Sequence, residues 1–298
     1  MQTLFRNYTK IAGITDDYFK VRSFLLNLGY SEFVYARWDW MATHGYLDKT
    51  AVGKIGLWEA EDEIVGVATF DTRLGIGYCL TQPDYRELKE EMLKYAEDHL
   101  STPDGFEVVI PDTDLRFQDI AMQAGYVGSE EKEADSVFYI DKTPLDYELP
   151  EGFRITTLED DFNLLQYRRV LWKGFNHELK GEGLFTFSSE DELSAKEEML
   201  RPNVDLDLKI AVVSPEENFV SYCGMWYDPA VEFALVEPVA TDPEYRGLGL
   251  GKAAVLEGVR RVGLRGAKMA LVGSSQQFYY SIGFRPFATS TNWKKKQP

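Results

Sequence analysis

Four segments of the chain recur in the same order in its two halves, and this repeat constrains the fold more than any other feature. Lys54 opens "KIGLWEAEDEIVGVATF" and Lys209 opens "KIAVVSPEENFVSYCGMW"; each reads as a strand, an acidic turn and a second strand. "TQPDYRELKEEMLKYAEDHL" aligns on Pro83 with "TDPEYRGLGLGKAAVLEGVRR" on Pro243, and "QDIAMQAGYV" on Gly125 with "QQFYYSIGFR" on Gly283. The spacing of these three pairs stays between 155 and 160 residues. Near the start of each half, "DDYFKVRSFL" from Asp16 parallels "DDFNLLQYRRVL" from Asp160. A repeat of this length predicts two copies of one α/β unit, each a mixed sheet flanked by helices. The expected domains are 1–143 and 150–298, joined through "DKTPLDYELPEGF", which carries Pro144 and Pro150 and has no helical period.

Composition narrows the function classes. At 44% hydrophobic and 14% aromatic residues, the 298-residue chain can fill two cores and is not a disordered sequence. Its net charge of −17 argues against a nucleic-acid partner, which demands a basic face. The charge has two readings, plain solubility or attraction of cationic small molecules. The opening "MQTLFRNYTKIAG" has no apolar core of a signal peptide, and no run approaches 18 apolar residues, so a cytoplasmic protein with no membrane partner is expected. Cys79 and Cys223 sit in apolar runs and are expected as buried free thiols. His44, His99 and His177 have no metal-ligand spacing, so no metal is expected. A homo-oligomer is compatible with the sequence, which does not specify one.

The stretch "EYRGLGLGKAAV" places Gly247, Gly249 and Gly251 within five residues. A P-loop would need glycine at Arg246 and a hydroxyl at Ala253, and it has neither. Gly249, Gly251 and Ala254 formally satisfy a dinucleotide fingerprint, but the run lies deep in the second half and the next strand, "KMALVG", ends without the ribose-binding acid. The spacing Arg246, Gly249, Gly251 fits a third arrangement: a strand, a glycine turn and an amphipathic helix with Ala253, Leu256, Val259 and Val262 at helical spacing. Backbone amides of residues 247–252, including those of Leu248 and Leu250, would then converge on an anion at a helix N-terminus, with Arg246 and Lys252 suited to a pyrophosphate.

"VATDPEYRGLGLGKAAV", followed by "FYYSIGF", resembles the acetyl-CoA signature of the GCN5-related N-acetyltransferase (GNAT) superfamily. The repeat extends the likeness to tandem-domain members, with a degenerate first copy. The resemblance implies an acetyl-CoA-dependent N-acetyltransferase that acetylates an amine directly. The acceptor would be a small molecule such as a cationic amine or antibiotic. The alternative function is a non-catalytic acyl-CoA sensor. It also implies that Val239, Ala240 and Thr241 pair with the pantetheine arm and that Tyr279 reaches the leaving sulfur. Ser274 and Ser275 stand where the family often has a pantetheine-binding asparagine; their other role would be to cap the following helix. The family's glutamate falls at Leu235 here. Strict alternation puts Phe233, Leu235, Glu237 and Val239 on one face, so Glu237 is the candidate base, its other role being to bind a cationic acceptor. "WKGFNHE" (Trp172 to Glu178) occupies the place of an acceptor loop. In the first copy Lys89 and Glu91 replace Gly249 and Gly251, Glu87 and Glu90 add negative charge, and Ala121 replaces Tyr279, so that copy is expected to have lost the site.

Overall fold

The computed structural model describes residues 3–295, which fall into two compact units. The first takes in the chain up to Asp135 together with residues from Phe287 onward; the second is Ser136–Pro286.

The first unit runs β1 (Leu4–Asn7), α1 (Asp16–Leu28), α2 (Tyr35–Thr43), β2 (Gly56–Ala60), β3 (Glu63–Phe70), β4 (Ile76–Thr81), α3 (Lys89–Leu100), β5 (Glu107–Pro111), α4 (Leu115–Gln123) and β6 (Tyr126–Tyr139). The strand order is β1-β2-β3-β4-β5, with residues 287–295 next and β6 beyond them. Ser290 to Lys294 pair antiparallel with Pro111 to Glu107. β4 and β5 are parallel neighbours, and α3 provides the crossover that parallel strands require. Local signals start the helices. Thr15 caps α1 by accepting from the Tyr18 amide at 3.2 Å, and Asp16 and Asp17 complement its positive end.

The second unit repeats the plan: β7 (Arg154–Thr157), α5 (Leu164–Gly174), α6 (Ser189–Met199), β8 (Lys209–Val213), β9 (Phe219–Trp226), β10 (Phe233–Thr241), α7 (Leu250–Leu264), β11 (Met269–Val272) and α8 (Gln277–Ser281). The chain then enters β12 (Arg285–Lys295), most of which belongs to the first unit. The order is β7-β8-β9-β10-β11, closed by Ser136–Tyr139 antiparallel to Val272–Met269. One face of this sheet is covered by α7, whose Ala253, Leu256, Val259 and Val262 are all buried against β8, β9 and β10. The other face is covered by α5 and α6, through Tyr167, Val170 and Ala195.

These limits differ from the sequence boundaries at 143 and 150. The last strand sorts with the first unit, and residues 136–149 with the second. The supposed linker is a packed segment: Leu145, Tyr147 and Leu149 lie on the second core, and the Tyr147 hydroxyl donates to Glu257 Oε2 at 2.9 Å. The prolines mask a two-residue apolar alternation that finds a surface to bury. Cys79 and Cys223 are buried free thiols. Among the described residues, no helix is long and apolar enough to cross a membrane.

Candidate active site

β10 departs from a regular strand at its middle. Leu235 and Val236 pair with Trp226 and Met225, and pairing resumes at Val239 with Cys223, so Glu237 and Pro238 together face Gly224. The extra residue is a β-bulge. It overturns the expected alternation: Val239 shares a face with Val236, not with Leu235. Gly224 makes the bulge possible, since a Cβ there would lie 2.4 Å from the Glu237 carbonyl oxygen. On its other side β10 pairs with β11 over Phe233–Leu235, and this pairing stops short of residues 236–241.

This part of β10 opens into a cleft of about 770 Å³ in the second unit. Val239, Ala240 and Thr241 line it, followed by Arg246, Gly247 and residues 249–252, with Tyr279 on the opposite side. Gly247 and Gly249 have φ of +82° and +80°, a conformation that side chains resist, and nothing fills the space beyond them. Gly249 is the N-cap of α7 and has no capping side chain, so the first-turn amides are available to a ligand. Gly251 approaches its neighbours closely: a Cβ would meet Thr241 Oγ1 at 3.0 Å. These features suit an anion held against the backbone.

Arg246 is used differently from the expectation. Its guanidinium donates to Thr241 O at 3.2 Å, and to Gly174 O and Asn176 Oδ1 at 2.8 Å each. It ties the loop to the end of α5, leaving Lys252 as the cation of the expected pair not spent on these protein acceptors. Below the loop, Asp242 is fully buried with Lys173 Nζ at 2.9 Å.

Tyr279, on α8, is 8% exposed. Burial first, and then the Cys223 and Glu237 charges, push its phenol well above the usual 10. Glu237 is half-buried at the bulge and is not part of the cleft lining. Leu248 is exposed and also outside the lining, as are Ser274 and Ser275. Ser274 Oγ accepts from the Gln276 amide at 3.2 Å, a turn that leads into α8. Trp172 and His177 stack at 4.4 Å, and His177 Nδ1 lies 2.8 Å from Glu182 Oε2. Glu178 accepts from the Phe185 amide at 3.0 Å, so this loop is organised largely by its own contacts. Gly174, Phe175 and Asn176, within the expected acceptor loop, line the cleft itself, and sequence reasoning missed Tyr245, Gln276, Phe278, Ser281 and Ile282, which line it too. Gly174 had a signal: it ends α5 where a Cβ would meet Ala240 Cβ at 2.7 Å.

In the first unit the equivalent loop winds as a one-turn-type helix over Pro83–Leu88 straight into α3. Lys89, buried there, reaches Asp114 Oδ2 at 2.9 Å and lies 4.4 Å from the Phe117 ring centre. A side chain thus fills the place that Gly249 leaves open, and β3 and β4 pair from Gly66–Thr81 to Phe70–Gly77 without a bulge.

Residues 172–284 match the profile of the acetyltransferase (GNAT) family. Among curated proteins, none matches the chain significantly. A GCN5-related N-acetyltransferase from Sphaerobacter thermophilus is similar in structure, with a TM-score of 0.58 at 18% identity, covering 98% of this chain and 95% of that one. A tandem GNAT protein from the clavulanic acid biosynthesis pathway aligns with a TM-score of 0.58 at 12% identity over 98% of both chains. A GNAT-family acetyltransferase from Colwellia psychrerythraea gives 0.59 at 11% identity, over 98% of this chain and 100% of that one. At these identities the likeness is one of fold. Two repeated units, the second holding the glycine turn, share the fold of tandem GNAT proteins, and residues 172–284 match the acetyltransferase (GNAT) family profile.

Proposed function

We propose that the second unit transfers the acetyl group of acetyl-CoA directly to an amine of a small molecule. The observation that carries this reading is the cleft itself, which brings the uncapped start of α7, residues 239–241 of β10 and Tyr279 together. The amides of residues 247–252 and Lys252 hold the pyrophosphate, and Val239–Thr241 pair with the pantetheine arm as an added strand would. An alkylamine has a pKa of about 10.4 and must lose a proton before it attacks. Glu237 is the base for that step, directly or through a water.

Tyr279 hydrogen-bonds the departing sulfur. Its raised pKa keeps the phenol protonated throughout the neutral range. A thiolate, with a pKa of about 8.5, is a weaker base than this phenolate, so Tyr279 stabilises the sulfur without giving up its proton. No acyl-enzyme is involved: Cys223 is fully buried and burial pushes its thiol up to about 12, which removes it as a nucleophile. The first unit is non-catalytic in this reading, because Lys89 fills its loop. The charge of −17 supports a cationic acceptor and a cytoplasmic setting.

The test is thiol release from acetyl-CoA across a panel of aminoglycosides, polyamines and amino sugars. Acetylation of at least one amine, lost in Tyr279→Phe and Glu237→Gln, is expected. Tight acetyl-CoA binding with no transfer to any amine would overturn the enzyme reading in favour of an acyl-CoA sensor.

A further inference from the structure

We propose that Trp226 is a positioning residue for this reaction. Its indole N–H fixes the bulge of β10, and the buried ammonium of Lys209 holds the ring in place. The inference rests on the acetyl-transfer reading above.

Trp226 ends β9 and is 6% exposed; its Nε1 donates to the Glu237 carbonyl at 2.9 Å. That carbonyl belongs to the bulge, where the register of the strand ladder shifts. Gly224 lies beneath it, leaving no room for a methyl group. A carbonyl enclosed in this way is costly without a partner, and the indole supplies one. Lys209 pairs with Gly224 from the next strand and is 1% exposed. Its Nζ donates to Met225 O at 2.9 Å and lies 3.5 Å from the Trp226 ring centre, a cation–π contact that fixes the ring face. Burying an ammonium carries a large solvation cost, so the arrangement is more than packing.

The first unit provides the internal comparison. Its β3 and β4 pair without a shift, and Lys54, which aligns with Lys209, is exposed. Bulge, indole bond and buried ammonium therefore occur together in the second unit, whereas at the aligned places of the first the strands pair without a shift and the lysine is exposed. Pinning Glu237 O sets the direction of the Glu237 side chain and of the 239–241 edge, the two elements that must meet acceptor and donor.

Trp226→Phe keeps the ring for Lys209 and removes only the donor. With an amine found by the panel, kcat is expected to fall about tenfold or more, since small displacements of reacting groups are costly, while the acetyl-CoA KM stays within about threefold. Hydrogen exchange should rise in 233–241 by more than elsewhere in the chain, beyond what the small loss of global stability from one hydrogen bond produces. Lys209→Met should move kcat and exchange the same way by less. Unchanged kcat with unchanged exchange would overturn the proposal, as would equal losses in kcat, acetyl-CoA affinity and global stability. If the wild type acetylates no amine, the acetyl-transfer reading fails, and local exchange in Trp226→Phe still decides whether the indole fixes the bulge.

Discussion

Arg246 donates to the carbonyl oxygen of Gly174 at 2.8 Å, joining the cofactor loop to the last turn of α5. The same nitrogen reaches Asn176 Oδ1, and Nε reaches Thr241 O. A cation at a helix C-terminus is favourable, and the planar fork serves three acceptors that a lysine could not serve together. Arg246→Ala should weaken acetyl-CoA binding about tenfold and cost roughly 1 kcal/mol of stability, measured by calorimetry and urea unfolding. Arg246→Lys should not restore either. Affinity unchanged in the alanine variant would show that the tie does not shape the cleft.

Tyr279→Phe should reduce kcat by about a hundredfold and leave acetyl-CoA affinity nearly unchanged. Because burial and the neighbouring charges raise the phenol, its ionisation should not appear in the kcat–pH profile up to pH ~10. An alkaline limb near pH ~10 that disappears in Tyr279→Phe would contradict the raised pKa.

Gly224→Ala brings a methyl group within 2.4 Å of the Glu237 carbonyl oxygen, so the bulge must move. A stability loss of about 1–3 kcal/mol is expected, as for other overpacked cores, together with a lower kcat. Denaturant unfolding and steady-state kinetics measure both, and a variant as stable and active as wild type would remove the steric basis of the bulge.

Glu257 gives the second unit a dependence on acid. Burial alone would raise its carboxyl, but hydrogen bonds from Arg260, Arg261 and Tyr147 outweigh it and hold the pKa at about 2, against 4.5. The unfolded chain therefore takes up the proton first. The stabilisation is complete above about pH 4.5 and is lost as pH falls toward 2, by roughly 2–3 kcal/mol in all. Urea unfolding between pH 5 and pH 3 should be less pH-dependent in Glu257→Gln than in wild type. Parallel curves would show that the carboxylate is not so held.

The cradle was legible because its physics is local: two left-handed glycines and an uncapped helix start lie within four residues of sequence. The amphipathic period of α7 was equally plain, and Ala253, Leu256, Val259 and Val262 are buried as it requires. The face of Val239 was misread because strict alternation carries no sign of a bulge. The cause lies in Gly224, a glycine on another strand, and only the pairing reveals it. The pairings of 136–139 with β11 and of 290–294 with β5 were hidden for the same reason: apolar alternation shows that a strand exists without naming its partner. Gly174 and Asn176 are tied to the cleft through Arg246, some seventy residues away in sequence, beyond the reach of a local motif.

The central claim is that the chain holds one working acetyl-CoA site, in the second unit. Calorimetric titration with acetyl-CoA tests it most directly, comparing the wild type with Gly249→Glu and Gly251→Glu. About one site per chain is expected in the wild type and none in either variant, because a carboxylate repels the pyrophosphate and fills its cradle. Two sites per chain, or binding that survives both substitutions, would contradict it.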